Sequence, residues 1–211
     1  MYKIVFFSLA ISLFLSCSKT SNNSTSPAMS PGLMPLSVGN FWKFTKTSYD
    51  SISGAAIDTV FDEIDIVGQV SVNGATYYQQ NQTSVTNINS GSFFINLDSN
   101  TVQKIDSATK YIFFKRVNID STEVDSWKDT VTSRCQGANF LYAFTDTTNI
   151  NGYNCLRNTI DVHDCTGQDF EKWVYYLKPG LGLIRILHYA LKNDGTFYLQ
   201  FSEDLQSHHI N

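Results

Sequence analysis

The sequence predicts an all-β domain, and three observations carry the prediction. No segment of twelve or more residues holds an apolar stripe at helical spacing. Short runs of period-two alternation, separated by turn residues, recur along the chain instead. Aromatic side chains are abundant, with 15 Phe, 11 Tyr and 3 Trp, and these fit a pleated, half-buried surface. About ten strands laid flat would leave bare edges and one exposed apolar face. A strongly curved antiparallel sheet forming a barrel or half-barrel is therefore expected, with a β-sandwich as the alternative.

The N-terminus is a segment of a different kind. Lys3 precedes thirteen uncharged, mostly apolar residues from Ile4 to Ser16. That length suits a secretory h-region and falls short of the roughly 20 residues a spanning helix needs. Phe14-Leu15-Ser16-Cys17 places a small residue directly before a cysteine and resembles the lipobox of bacterial lipoproteins, with Phe14 where that family usually has Leu. The alternative is an ordinary signal peptide with an incidental cysteine. The resemblance implies cleavage before Cys17, acyl chains on its thiol and attachment to the membrane through them. Ser18 in place of the aspartate that retains lipoproteins at the inner membrane implies the outer membrane. Residues 17–35, rich in Ser, Thr, Asn and Pro, lack the apolar side chains that would offset ordering, and read as a flexible tether. Residues 36–211 then form one β domain, with no fixed-period repeat and no second linker.

The strands follow in order. Asn40 to Lys46 sets Trp42 and Phe44 on one face. Thr59 to Val72 sets Ile64 and Ile66 against Glu63 and Asp65. Asn73-Gly74 is a type I′ hairpin signal, because both residues accept positive φ; Thr76 to Gln80 returns from it. Ser92 to Leu97, Val102 to Ile105 and Lys110 to Val117 continue the alternation. From Asn118 to Ala138 the pattern is weak, with Ser126-Trp127-Lys128 either a short strand or a loop packing one tryptophan. Asn139 to Phe144 and Tyr153 to His163 flank a turn at Asn151-Gly152. Phe170 to Leu177, Gly182 to Leu191 and Thr196 to Phe201 close the chain. Lys178-Pro179-Gly180-Leu181 reads as a type II turn, with Pro presetting φ and Gly taking the positive φ. Leu183 to Leu187 is apolar on both faces apart from Arg185, which places it centrally in the sheet.

Two of these segments, Pro35 to Phe44 and Trp173 to Arg185, resemble the opening "PL-x-VGN-x-W" and the closing "YY-x-x-G-[VL]-GLI-[KR]" hairpin of a group of Bacteroidetes-type envelope lipoproteins. Pro179 departs from the usual closing hairpin. The resemblance implies an envelope location and a β fold, and no reaction.

Candidate chemistry is sparse. Beyond Cys17, the cysteines are Cys135, Cys155 and Cys165, and an exported protein with three invites one disulfide and one leftover thiol. On one straight strand Cys155 and Cys165 stand about 33 Å apart, against the roughly 7 Å a disulfide allows. Cys135 is therefore expected to pair with one of them, Cys155 mildly favoured. Asp161, His163 and Cys165 share a strand face, but ~6–7 Å spacing is too wide for one zinc ion, so no metal is expected. His188 reads as a satisfied core histidine, and His208-His209 as a frayed end. Asp62, Glu63 and Asp65 read as a solvated acidic face rather than as paired glycosidase carboxylates. Nucleophile elbow, His-Glu-x-x-His, phosphate-loop and EF-hand patterns are missing from the sequence, so no catalytic residue and no cofactor is assigned. Net charge −4 and the lack of a basic cluster argue against nucleic acid. Two functions stand: non-catalytic binding of an apolar, lipid-like ligand inside the sheet, or docking of another envelope protein by a solid-cored accessory subunit. A hydrolase comes third.

Overall fold

A computed structural model describes residues 32–72, 74–84, 88–98, 100–106, 109–115, 122–127, 136–142, 148–163 and 168–211. The described residues form thirteen strands and no helix: β1 Phe41–Tyr49, β2 Ala56–Val72, β3 Ala75–Ser84, β4 Ile88–Asp98, β5 Thr101–Asp106, β6 Thr109–Lys115, β7 Thr122–Trp127, β8 Gln136–Tyr142, β9 Thr148–Ile150, β10 Tyr153–His163, β11 Asp169–Lys178, β12 Gly182–Leu191 and β13 Phe197–His209. Twelve follow one another across a single antiparallel sheet in the order β6-β5-β4-β3-β2-β1-β13-β12-β11-β10-β8-β7, and β9 pairs with β10. Apart from the β1–β13 pairing, which joins the two halves of the chain, each strand neighbours one close to it in sequence. The sheet curls strongly into a half-barrel, and its end strands β6 and β7 touch.

The period-two pattern explains which face is inside. Trp42 and Phe44 lie opposite Ile64 and Asp62 on β2, and Phe44 opposite Leu205 on β13, so all share the concave face. With Ile66, Phe94, Phe113, Leu156, Leu177 and Ile186 they form the main core. The curl carries β6 across to β10 and β11. There the Phe113 ring meets Phe94 and Tyr175 edge-on, at 5.4 and 4.8 Å between centroids. The Asn158 side-chain amide donates to the Phe113 carbonyl, which gives β6 a partner from across the interior.

Leu33, Met34 and Leu36 enter this core from the segment before β1, Leu33 and Met34 each 1% exposed. The Met34 amide and carbonyl both bond the Asn96 side chain, at 3.3 and 2.7 Å. Residues 33–35, which composition assigns to the tether, therefore include part of the core. Burying two such side chains is worth roughly 1.5–3 kcal/mol each, enough to order a short segment.

The segments Pro35 to Phe44 and Trp173 to Arg185 meet in space. Asn40 is fully buried: its side-chain amide donates to the Pro35 carbonyl and its carbonyl oxygen accepts from the Asn211 amide at 2.8 Å. The Trp42 indole donates to the Leu181 carbonyl at 2.6 Å. Its ring lies against Gly182, where φ is +95° and an added Cβ would come within 2.9 Å of the indole. The preceding turn is type II as expected, closed by Leu181 N to Lys178 O at 3.0 Å with Gly180 at φ 77°.

β10, β11 and β12 lie within one residue of their expected bounds, and β12 is central, between β11 and β13. The C-terminus departs from expectation. β13 runs on to His209, which pairs with Phe41 and stacks on its ring at 5.6 Å, so His208 and His209 are exposed but not frayed.

Candidate binding site

The register sets cross-strand rows along the concave face. Above the apolar core, one row places Phe201 opposite His188 and His188 opposite Trp173. The imidazole is clamped between the two rings, 4.1 Å from Trp173 and 4.8 Å from Phe201. His188 is 6% exposed, and neither ring nitrogen has a hydrogen-bond partner. The Glu171 carboxylate lies 3.6 Å from Nε2, just beyond hydrogen-bond range, and accepts from the Trp173 indole at 3.3 Å. His188 is thus a core histidine by burial and not a satisfied one.

An open cleft of about 780 Å³ lies over this row at the β12–β13 end of the half-barrel. Glu171 and His188 line it together with Gln168, Phe170, Asn193 and Gln200. Lys192 and Asp194 line it as well, so both signs of charge border the cleft.

One row nearer the core sits a second polar group. Lys46 shares the face of Trp42 and Phe44, and its ammonium lies 3.3 Å from Glu203 and 3.9 Å over the Phe201 ring. Glu203 and Asp62 are each 2% exposed, and Gln82 donates to Asp62 at 2.9 Å. Burial, opposed by Lys46 and assisted by the neighbouring Asp62, pushes the Glu203 carboxyl up to about 7. The two carboxylates are closed off from solvent, whereas Lys46 reaches them from the partly exposed rim.

The acidic run of β2 is therefore not one solvated face. Asp62 points inward, whereas Glu63 and Asp65 lie on the outer face, Glu63 paired with Lys43 at 2.9 Å. Partial burial and the adjacent Glu63 raise Asp65 to about 6. Asp62 and Glu63, on opposite faces of one strand, cannot flank one glycosidic bond, and Glu63 is drawn to Lys43.

Of the cysteines, Cys155 is a buried free thiol at the start of β10, packed with Ile150 and Ile184. Its Sγ contacts the Tyr153 carbonyl at 3.4 Å, and burial pushes it up to about 11. Cys17, Cys135 and Cys165 lie outside the described residues, as does Asp164. Asp161 pairs with Lys172 at 3.4 Å.

Sequence reasoning missed the Lys46–Glu203 pair and the contacts of the His188 ring with Trp173 and Phe201. Strand parity could have found them: Lys46 follows Trp42 and Phe44 at steps of two, and Asp62 precedes Ile64 and Ile66 in the same way.

The chain matches no protein-family model and no curated relative. Among solved structures it is similar to a protein from Bacteroides fragilis NCTC 9343 described as exported and as having a YmcC-like fold. That likeness has a TM-score of 0.50 at 9% identity, over 85% of this chain and 99% of that one. A protein from Parabacteroides distasonis ATCC 8503 described as a lipoprotein aligns with a TM-score of 0.43 at 14% identity, over 85% and 99% of the two chains. The first likeness is one of fold.

Proposed function

We propose that this chain is a lipid-anchored lipoprotein of the bacterial envelope, at the outer membrane, whose β half-barrel serves as a non-catalytic docking subunit for another envelope protein. The observation that carries the anchor is the N-terminal sequence: a basic residue, a thirteen-residue apolar run and Ser16-Cys17. Two or more acyl chains at about 0.8 kcal/mol per methylene hold a protein on a bilayer without a spanning segment. The exported character ascribed to the Bacteroides fragilis protein is consistent with this reading. With Leu33 already in the core, residues 18–32 are left as tether, a reach of roughly 20 Å by random-coil scaling.

Docking is favoured over an apolar ligand by one feature of the interior. Leu33, Met34 and Leu36 occupy space on the concave face that such a ligand would need. The outer face of the β1–β2 hairpin instead presents Ile52, Ile57 and Phe61, from 65% to 91% exposed. The test is membrane fractionation in the native host with metabolic palmitate labelling. The wild-type chain is expected to sediment with membranes and carry label, and Cys17→Ser to lose both; an unlabelled wild-type chain overturns the proposal.

A further inference from the structure

We propose that the end of the half-barrel from which the tether leaves rests on the bilayer itself, with its exposed aliphatic side chains set among the lipid headgroups. The proposal rests on the anchoring reading and adds an orientation to it.

Seven large hydrophobic side chains are exposed among the described residues, and they fall at two places. Ile52, Ile57 and Phe61 belong to the β1–β2 hairpin. Val38, Val67, Val70 and Leu97, from 41% to 50% exposed, gather at the other end, where β1 begins. The ladder places them there. Gly39 donates to the Ile66 carbonyl at 2.8 Å and Ile66 to the Asn40 carbonyl at 2.9 Å, so Val38 lies beside the part of β2 that starts at Val67. Val70 pairs with Tyr77 close to the β2–β3 turn, and Leu97 follows Asn96 at the end of β4. Single exposed aliphatics are ordinary on a protein surface, whereas several at one end mark a contact site.

The tether says what covers that end. The Gly32 carbonyl accepts from the Gly180 amide at 3.3 Å, and Met34 is held by Asn96, the residue before Leu97. The segment leading back to Cys17 therefore joins the fold here. With a random-coil reach of roughly 20 Å for residues 18–32, acyl chains on Cys17 keep the bilayer about that close to this end. β1 is nine residues long, and from Phe41 to Tyr49 it spans about 27 Å. The β1–β2 turn thus stands farther off than the tether's ordinary reach, and the aliphatic end is the one presented to lipid.

Four aliphatic side chains bind a bilayer only weakly by themselves. A tether makes the contact intramolecular, at a roughly millimolar effective concentration, and so lets a weak contact set the orientation. The β1–β2 hairpin is then directed away from the membrane, where a partner protein can reach it.

The experiment uses the lipidated mature chain in phosphatidylcholine vesicles, with a nitroxide amino acid replacing Val38, Leu97 or, as the control, Ile52. All three positions are exposed, so the label leaves the core intact. Power-saturation EPR compares collision with oxygen, which concentrates in lipid, and with chromium oxalate, which stays in water. On vesicles the labels at Val38 and Leu97 are expected to gain oxygen contact and lose chromium oxalate contact relative to the same labels on Cys17→Ser in solution. The label at Ile52 is expected to stay in water. A chain that floats with the vesicles while its Val38 and Leu97 labels stay as wet as the Ile52 label overturns the proposal and leaves the anchor standing. A chain that does not float overturns the anchoring reading. The orientation is then read on the chain held to chelator lipid by a histidine tag placed before Ser18, and wet labels at Val38 and Leu97 overturn the proposal there as well.

Discussion

Glu203 is the residue whose replacement should stabilise this protein, and only at neutral and alkaline pH. Its carboxyl is held up to about 7, from an ordinary 4.5, chiefly by burial. Between those two values the folded state binds a proton that the unfolded chain has released. Stability therefore falls as pH rises through that window and levels off above it. The span corresponds to roughly 3 kcal/mol. Glu203→Gln keeps the shape and abolishes the titration, so its advantage over wild type should be small at pH 4 and grow by roughly 3 kcal/mol by pH 8. In a domain of this size that is about 6–12 °C in melting temperature. Asp65 titrates in the same direction and is present in both proteins, so it cancels in the difference. Circular dichroism melts of both chains at half-unit pH steps make the measurement. A difference that stays flat with pH, or one that shrinks, would refute the claim that a buried, incompletely paired carboxylate sits beneath the aromatic row.

Three further outcomes follow from the packing. Gly182→Ala combines a φ of +95° with a 2.9 Å approach to the Trp42 ring, and should lower stability by about 2 kcal/mol or more, read from denaturant midpoints. Met34→Ala removes a side chain that is 1% exposed and should cost about 2–5 kcal/mol; a near-neutral effect would show that the segment before β1 is not part of the core. In the reduced, folded protein at pH 8, the Cys155 thiol should react with an aqueous disulfide reagent about a hundredfold more slowly than in guanidinium, because burial holds it up to about 11. Peptide mapping without reductant on the exported chain decides whether Cys155 stays the free thiol of the structure, leaving Cys135 to pair with Cys165, or is bonded to Cys135.

The fold was legible because the strands with one wet face announce themselves. Trp42-Lys43-Phe44 and Ile64-Asp65-Ile66 alternate cleanly, and each sequence turn built on Gly74, Gly152, Gly180 or Gly195 has its glycine at positive φ. β7 was hard to read because Thr122 to Trp127 at the end of the sheet shows little alternation, and β9 because three residues are too few to show any. The polar cluster was illegible for another reason. Charged residues are almost never buried unless paired, so Asp62 and Glu203 read as surface on residue type alone. Only the register, which sets Lys46 opposite Glu203 and Phe44 opposite Asp62, brings the partners together. The apolar neighbours of His188 in Leu183 to Leu191 marked it as a core histidine, but its ring partners lie on β11 and β13 and left no signal near it in sequence.

The central claim is the lipid on Cys17, and the mass of the N-terminal peptide tests it most directly. Protein isolated from membranes of the native host and digested with trypsin should yield a first peptide that begins at Cys17 and is heavier than its sequence by two or more fatty acyl chains. A first peptide beginning at Cys17, or anywhere after it, with no added mass would contradict the account.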